Sequence, residues 1–405
     1  MEQETPLITT SFYKPGSVVL VQDSKNEGFF FIVKSGRLRI ESGFSFKEKE
    51  LSRFEAGDTF GLVSALTAGK FLGNIVAETP CELIKVPVSK LGEYLKGRKS
   101  LVIKMIKAYS HELRILDKYL ADINHSEEWE GHPAQLFEDA AFYIQHNEDL
   151  KAIRALQAFV QWAANEEHYD EKIKEAKDIL SEKMNAEILL PERDRIVELK
   201  DKDVIFVENE PSSEFFIVKD GYVKLSKILQ GNEFIISIIG VGEIFGEMAV
   251  LENNCRLASA EAFGNCSLMR LTAENFTDNI GEKILQRIFE SLARRIWLGH
   301  QRLSILKLPE PVARLYVLLE ILLQERKIRT GEDEKKEIKF NFNLGDLQKM
   351  CGLIKIKRST VQIFIDDKNI EVSDHEILIH KKDLLDDKVI GFRNKMRRQK
   401  LEIIF

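Results

Sequence analysis

The chain has 405 residues, 44% hydrophobic and 31% charged, with 59 Lys and Arg against 65 Asp and Glu for a formal net charge of −6. That balance excludes a nucleic-acid coat as a global property, no apolar run approaches the ~20 residues that span a bilayer, and "MEQETPLITT" lacks the cationic and apolar regions of a signal peptide. The length asks for two to four units, and four cysteines (Cys81, Cys255, Cys266, Cys351) without a Cys-x-x-Cys pair fit a reduced, cytoplasmic setting with no membrane partner.

Residues 1–98 read as short strands. The runs "VVLV", "FFFIV" and "LRIE" are separated by Gly, Asp, Asn and Ser, as in a barrel, a sandwich or a jelly-roll-like β-roll. The unit recurs. "FFIVKSG" (Phe30–Gly36) returns as "FFIVKDG" (Phe215–Gly221), 185 residues on, and the same gapless offset carries Gly57 to Gly242, Phe60 to Phe245, Gly61 to Gly246, Cys81 to Cys266 and Leu83 to Leu268. The glycines are expected at turns that need positive φ.

Residues 99–190 change to helical periodicity with almost no breakers. Ala140, Tyr143, Leu150, Ala152, Ile153 and Phe159 fall where one tetratricopeptide-like helical hairpin would place them, and a plain helical spacer is the equal alternative.

The second copy, residues 191–281, contains "FGEMAVLENNCRLASAEA" (Phe245–Ala262), which sets Glu247 and Arg256 inside an otherwise apolar run. Charges are rarely buried unless paired, because dehydrating one costs several kcal/mol. The stretch resembles the phosphate-binding cassette of cyclic-nucleotide-binding domains: Phe-Gly-Glu-apolar-small-Leu, a short loop, then Arg-(Ser/Thr)-Ala-small. The resemblance implies a β-roll followed by a helix, with Phe245, Gly246, Glu247, Met248, Arg256, Leu257 and Ala258 holding a cyclic nucleotide (cyclic AMP or cyclic GMP) and no metal. The chemistry suits that ligand. Backbone N–H groups after Gly246 and the Arg256 guanidinium face the phosphate, while Glu247 accepts from the ribose 2′-hydroxyl and offsets Arg256 without ligand. The alternative is a structural Glu247–Arg256 ion pair in a roll that binds nothing. Leu257 stands where the family has Ser or Thr, so one hydroxyl to the phosphate is lost. In the first copy Glu247 corresponds to Leu62 and Arg256 to Phe71; Lys70 is adjacent but offers no planar fork, so that copy is read as a degenerate domain kept as scaffold or interface.

Residues 282–306 form one amphipathic helix with Ile284, Leu285, Ile288, Leu292 and Ile296 on a stripe. The stripe is read as a homodimer seam, as in relatives, or as part of a pseudo-twofold within one chain. The family's base-capping hydroxyl position falls near Gly299, leaving His300 and Gln301 as base contacts or as a solvated helix face. Pro311 is placed to open the next helix.

In residues 307–405, "NLGDLQKMCGLIKIKRSTVQIFIDDKNIEVSDHEILIH" has the outline of a winged helix-turn-helix. Asn343 caps a helix with Leu344, Leu347 and Met350 on one face, Gly352 turns, a second helix is expected from about Ile354 to Asp367, and strands "IEV" and "EILIH" follow. The spacing resembles the catabolite activator (cyclic-AMP receptor) family, which implies that Lys355, Lys357, Arg358, Ser359 and Thr360 face double-stranded DNA. The family's base-reading Ser-Arg-Glu run is absent, and Asn341–Phe405 holds 13 Lys and Arg against 10 Asp and Glu, five of the cations in "RNKMRRQK".

The expected fold is α+β: two β-rolls separated by a helical segment, then a long helix and a winged helix-turn-helix. The expected function is a cyclic-nucleotide-responsive bacterial transcription regulator. The alternative is a nucleotide-responsive scaffold that contacts proteins through the central helices and never touches DNA. An enzyme is the weakest reading, because no nucleophile–base pair, metal cluster or Walker loop appears and the eight histidines are scattered.

Overall fold

Two rolls of the same plan are built from alternating apolar positions, and two long helices leave them to cross. The computed structural model describes residues 8–22, 24–41, 53–67, 69–71, 73–122, 131–183, 195–229, 231–252, 254–272, 281–353 and 356–398; Ile354, Lys355 and the side chain of Ile284 lie outside the described residues.

In the first roll, strands β1 (Thr9–Tyr13), β2 (Val18–Leu20), β3 (Phe29–Ser35), β4 (Leu38–Glu41), β5 (Arg53–Phe54), β6 (Thr59–Phe60), β7 (Asn74–Ala77) and β8 (Cys81–Pro87) form two antiparallel sheets. Their orders are β1-β8-β3-β6 and β2-β7-β4-β5. Phe31, Phe60 and Leu83 from one sheet share a core with Leu38, Ile75 and Ala77 from the other. Helix α1 (Leu62–Leu66) follows β6, and α2 (Leu91–Leu95) and α3 (Lys99–Asp122) follow β8.

The second roll comprises β9 (Ile196–Leu199), β10 (Val204–Phe206), β11 (Glu214–Leu229), β12 (Asn232–Ile239), β13 (Ile244–Phe245) and β14 (Ser259–Thr272), with α7 (Glu247–Glu252) after β13. Here β11 and β14 run unbroken through both halves, joining six strands into one sheet. The repeat extends to single hydrogen bonds. Val33 N–H donates to Asp58 O (2.9 Å) and Gly57 N–H to Val33 O (2.8 Å); Val218 N–H donates to Glu243 O (3.0 Å) and Gly242 N–H to Val218 O (2.8 Å). Gly36 and Gly221 take φ of +91° and +76°, and a Cβ on either would lie 2.4 or 2.3 Å from a carbonyl oxygen, so the bend requires glycine.

Between the rolls, α4 (Leu136–Gln145), α5 (Asp149–Ala163) and α6 (Asp170–Lys183) share one core. Ala140, Tyr143, Ala152, Ile153 and Phe159 are buried in it and Leu150 packs on its edge. This helical unit docks on the second roll through Tyr143 Oη to Ser259 Oγ (2.8 Å) and Asn209 Nδ2 to Asp139 Oδ2 (2.8 Å).

The helix after the second roll, α8 (Glu282–Leu306), pairs with α3. Val102, Met105, Ile106, Tyr109, Leu113, Leu116 and Leu120 on α3 correspond, each 183 residues on, to Leu285, Ile288, Phe289, Leu292, Ile296, Gly299 and Leu303 on α8. The helices cross closely at the Leu116–Gly299 equivalent pair, where a Cβ on Gly299 would lie 3.1 Å from Leu116 Cδ1. Each helix also reaches the opposite roll: α8 packs on α1, and α3 packs on α7. The stripe expected at a seam between chains is filled by α3 of the same chain, which favours the pseudo-twofold alternative.

The carboxyl-terminal unit runs α9 (Pro311–Thr330), β15 (Lys336–Phe340), α10 (Leu344–Met350), α11 (Gln362–Ile365), β16 (Ile370–Val372), β17 (Ile377–Lys381) and α12 (Lys382–Arg398). Its three strands form one antiparallel sheet, β15-β17-β16. Pro311 opens α9, and Asn343 caps α10 in a capping box with Asp346. The second helix is shorter than expected. Lys357 caps a 3-10 turn, Arg358–Val361, that leads into one α-turn ending at Ile365. Ile356, just before that turn, is not helical and packs against the unit's core. Among the described residues no helix is long and apolar enough to cross a membrane.

Candidate functional site in the second roll

The cassette is made where β13 ends at Phe245 and the chain turns through Gly246 (φ +79°) into α7. Glu247 and Arg256 are 1% and 3% exposed, so neither charge faces solvent. The Arg256 guanidinium lies 4.0 Å from the Phe206 ring centroid. Nη1 donates to Gly246 O (2.6 Å), and Nη2 donates to Glu214 O (2.5 Å) and to Ser212 Oγ. Burial pulls its pKa down to about 10 against the opposing fields of Glu210, Glu214 and Glu247.

Glu247 does not pair with Arg256. Its Oε1 accepts from Arg295 Nη1 (3.1 Å), and the same nitrogen donates to Ile244 O (3.1 Å). Arg295 lies on α8, so the expected local charge offset is a tie between the cassette and the long helix. Two atoms are left over: Glu247 Oε2 and Arg256 Nε are buried with no hydrogen-bond partner among the described residues. Of the other cassette residues, Phe245 and Met248 are buried, and Leu257 packs on the core shared with α3 and α8. Lys227 reaches the cassette backbone, with Nζ 3.0 Å from Leu257 O and 2.6 Å from Glu208 Oε1. Burial lowers the Lys227 pKa and raises that of Glu208.

The first roll shows what happens without the charges. Leu62 is fully buried, and a ring carbon of Phe71 sits about where a Cβ on Gly61 would meet it, at 3.5 Å. Asn26, at a position sequence reasoning passed over, takes up the guanidinium's bonds. Its Nδ2 lies 2.9 Å from both Gly61 O and Phe29 O, the equivalents of Gly246 O and Glu214 O, and 2.9 Å from Ser64 Oγ. Its Oδ1 accepts from Gly28 N–H and Phe29 N–H, each at 2.9 Å.

Known proteins bear on both rolls. The family model described as "Cyclic nucleotide-binding domain" matches residues 10–98 and 196–282. Curated relatives include the "Cyclic AMP receptor protein" of Thermus thermophilus, 32% identical over 30% of this chain and 57% of that protein. A "CRP-like cAMP-activated global transcriptional regulator" of Mycobacterium tuberculosis is 23% identical over 44% of this chain and 83% of that one. Each of the two rolls is thus similar to a cyclic nucleotide-binding domain. A "cAMP-dependent protein kinase regulatory subunit" of Mycosarcoma maydis is 30% identical over 20% of this chain and 16% of its own length. A solved CRP-family regulator from Thermus thermophilus aligns at TM-score 0.39 and 16% identity, covering 47% of this chain and 95% of that one.

Other expected contacts lie elsewhere in the chain. His300 is buried in the α3–α8 seam, Nε2 3.2 Å from Glu112 Oε1, and Gln301 beside it is half-buried. Lys357, Arg358, Ser359 and Thr360 are exposed together on the turn before α11. Sequence reasoning missed Arg295, Ser212 and Lys227, because each reaches the cassette from a strand, loop or helix tens of residues away.

Proposed function

We propose that the second roll binds a cyclic nucleotide between Glu247 and Arg256, and that binding is transmitted along α8 to a carboxyl-terminal winged helix-turn-helix that contacts DNA. The observation that carries the reading is the pair of buried, unpartnered atoms, Glu247 Oε2 and Arg256 Nε. A buried polar atom without a partner costs about 1–3 kcal/mol, and an anionic ring with a neighbouring hydroxyl supplies what both lack. A ligand on Glu247 Oε2 shares the carboxylate that Arg295 of α8 holds through Oε1, so α8 is the element whose position would differ between ligated and free states. The relatives named as cyclic-AMP-dependent regulators support this output. The first roll, its cassette closed by Asn26 and Phe71, serves as scaffold.

Calorimetric titration with cyclic AMP, cyclic GMP and a cyclic dinucleotide tests the site. One equivalent of one of them should bind the native chain, and Arg256→Ala should weaken it at least about tenfold, the loss of one charge-assisted contact. Equal binding by both proteins would remove the site.

A second reading keeps the sensor and replaces DNA with protein. It is favoured by the short Arg358–Ile365 segment and by Ile363, 73% exposed at its centre. Retention on duplex DNA that falls steeply with salt supports the first output; no retention at physiological salt supports the second.

A further inference from the structure

A cleft of about 320 Å³ lies where the second roll, α8, α9 and the β15–α10 connection meet. That is the lower end of the range for small-molecule sites, roughly 300–1,000 Å³. Ile236, Ile238, Phe263, Leu298, Leu322 and Phe342 give it an apolar, partly aromatic wall.

Its charges do not balance. Arg294, Arg302, Arg326, Arg329 and Lys339 line it against Glu243, Glu325 and Glu334, while Arg295 at its edge is committed to Glu247. Arg326 holds Glu334 (2.9 Å), and Lys339 turns outward to Glu376 (3.4 Å). Arg294 reaches Glu243 (3.3 Å) and shares Glu325 (3.7 Å) with Arg329 (3.5 Å). Arg302, 4% exposed, has no carboxylate among the described ion pairs; it donates to Ile235 O (2.7 Å), Met350 O (2.9 Å) and Ile236 O. Arg302 Nε is buried without a hydrogen-bond acceptor among the described residues, and Arg294 Nε has only the long 3.7 Å contact to Glu325. Burial pulls the Arg302 pKa down to about 10 against the opposing field of Asp117 on α3, which forms no direct ion pair with it among the described residues.

We propose that this cleft binds an amphipathic monoanion: a flat apolar or aromatic body carrying one carboxylate, sulfonate or phosphate. The body suits the apolar wall, and the acid group supplies the acceptor that the arginines lack. Arg294 faces the cleft while the next residue, Arg295, holds Glu247, so occupation acts on α8 one residue from the cassette tie. The site is separate from the cassette and stands whether or not the second roll binds a nucleotide.

The test is a fluorescence titration of the full chain with 8-anilino-1-naphthalenesulfonate. One saturable site is expected, retained in Arg256→Ala. Arg329→Gln, which removes a charge, and Leu322→Trp, which fills the cleft, should each weaken it at least about tenfold. Displacement by 1-naphthoate rather than adenosine 5′-monophosphate assigns the acid group as carboxylate, and the reverse assigns phosphate. Non-saturating binding, or equal affinity in native chain and Arg329→Gln, overturns the proposal; the Gln variant decides if the Trp variant does not fold.

Discussion

A guanidinium in one roll and a carboxamide in the other satisfy the same two carbonyl oxygens. Arg256 holds Gly246 O and Glu214 O; Asn26, arriving from a different strand connection, holds Gly61 O and Phe29 O. Those carbonyls face inward at the turn before the cassette helix, so each roll needs a donor there regardless of ligand. The first roll met that need with a neutral group that leaves no charge to complete. Removing it by Asn26→Ala takes the acceptor from the Gly28 and Phe29 N–H groups and a donor from Phe29 O, while Gly61 O keeps Ala65 N–H and Ser64 Oγ, and the expected loss is about 1–3 kcal/mol, read as a lower midpoint in urea. Cyclic-nucleotide affinity of the second roll should stay unchanged in that variant. A midpoint within error of the native one would show that water replaces the amide at no cost.

The two long helices carry their own repeat, offset by 183 residues where the rolls repeat at 185. Their crossing depends on a small residue: Gly299 on α8 admits Leu116 of α3. Gly299→Val should cost roughly 1–3 kcal/mol through overpacking and lower the melting temperature, whereas Gly281→Ala at the N-cap of α8, where a Cβ meets nothing within 4 Å, should be nearly neutral. Equal effects would separate the crossing from stability. The roll repeat was legible because the strand pairing and the tight turns at Gly36, Gly57 and Gly61 preserve residue identities without a gap. The helix repeat was not, because pairs such as Tyr109 and Leu292 preserve only apolarity and the two-residue slip hides the register. The cassette was legible as a local pattern; the tie from Glu247 to Arg295 spans 48 residues and has no local signature. In the carboxyl-terminal unit, the winged-helix outline suggested a second helix from about Ile354 to Asp367; among the described residues Arg358–Ile365 are helical, and Ile356 packs on the core before them.

At the scale of the molecule, one cluster of charges joins three units. Lys151 of α5 meets Glu148 (3.4 Å), Glu233 (3.1 Å) and Glu261 (2.7 Å), Lys224 of β11 meets Glu261 (2.5 Å) and Glu233 (3.2 Å), and Lys349 of α10 meets Glu233 (2.6 Å). Burial would raise the Glu233 pKa, yet Lys151, Lys224 and Lys349 outweigh it and hold the carboxyl well below its ordinary 4.5. A depressed carboxyl stabilises the fold above its unfolded pKa and loses that contribution as pH falls below it. The gap in melting temperature between native chain and Glu233→Gln should therefore be constant near neutrality and narrow below about pH 4.5. A gap independent of pH would mean the cluster acts by packing alone. The filled α3–α8 seam also predicts one chain per particle by light scattering; a stable dimer would have to use another surface.

If the second roll alone binds, as proposed, a frame of two halves reports its effector in a particular way. A two-chain sensor with two equal cassettes can sharpen its titration curve, because filling one changes the other. On the proposed reading, in which the first roll is scaffold, no second binding event reinforces the first. Saturation of a solitary chain should follow a simple hyperbola with a Hill coefficient of about one. Such a detector trades a threshold for proportionality, responding in a graded way across nearly two decades of effector concentration.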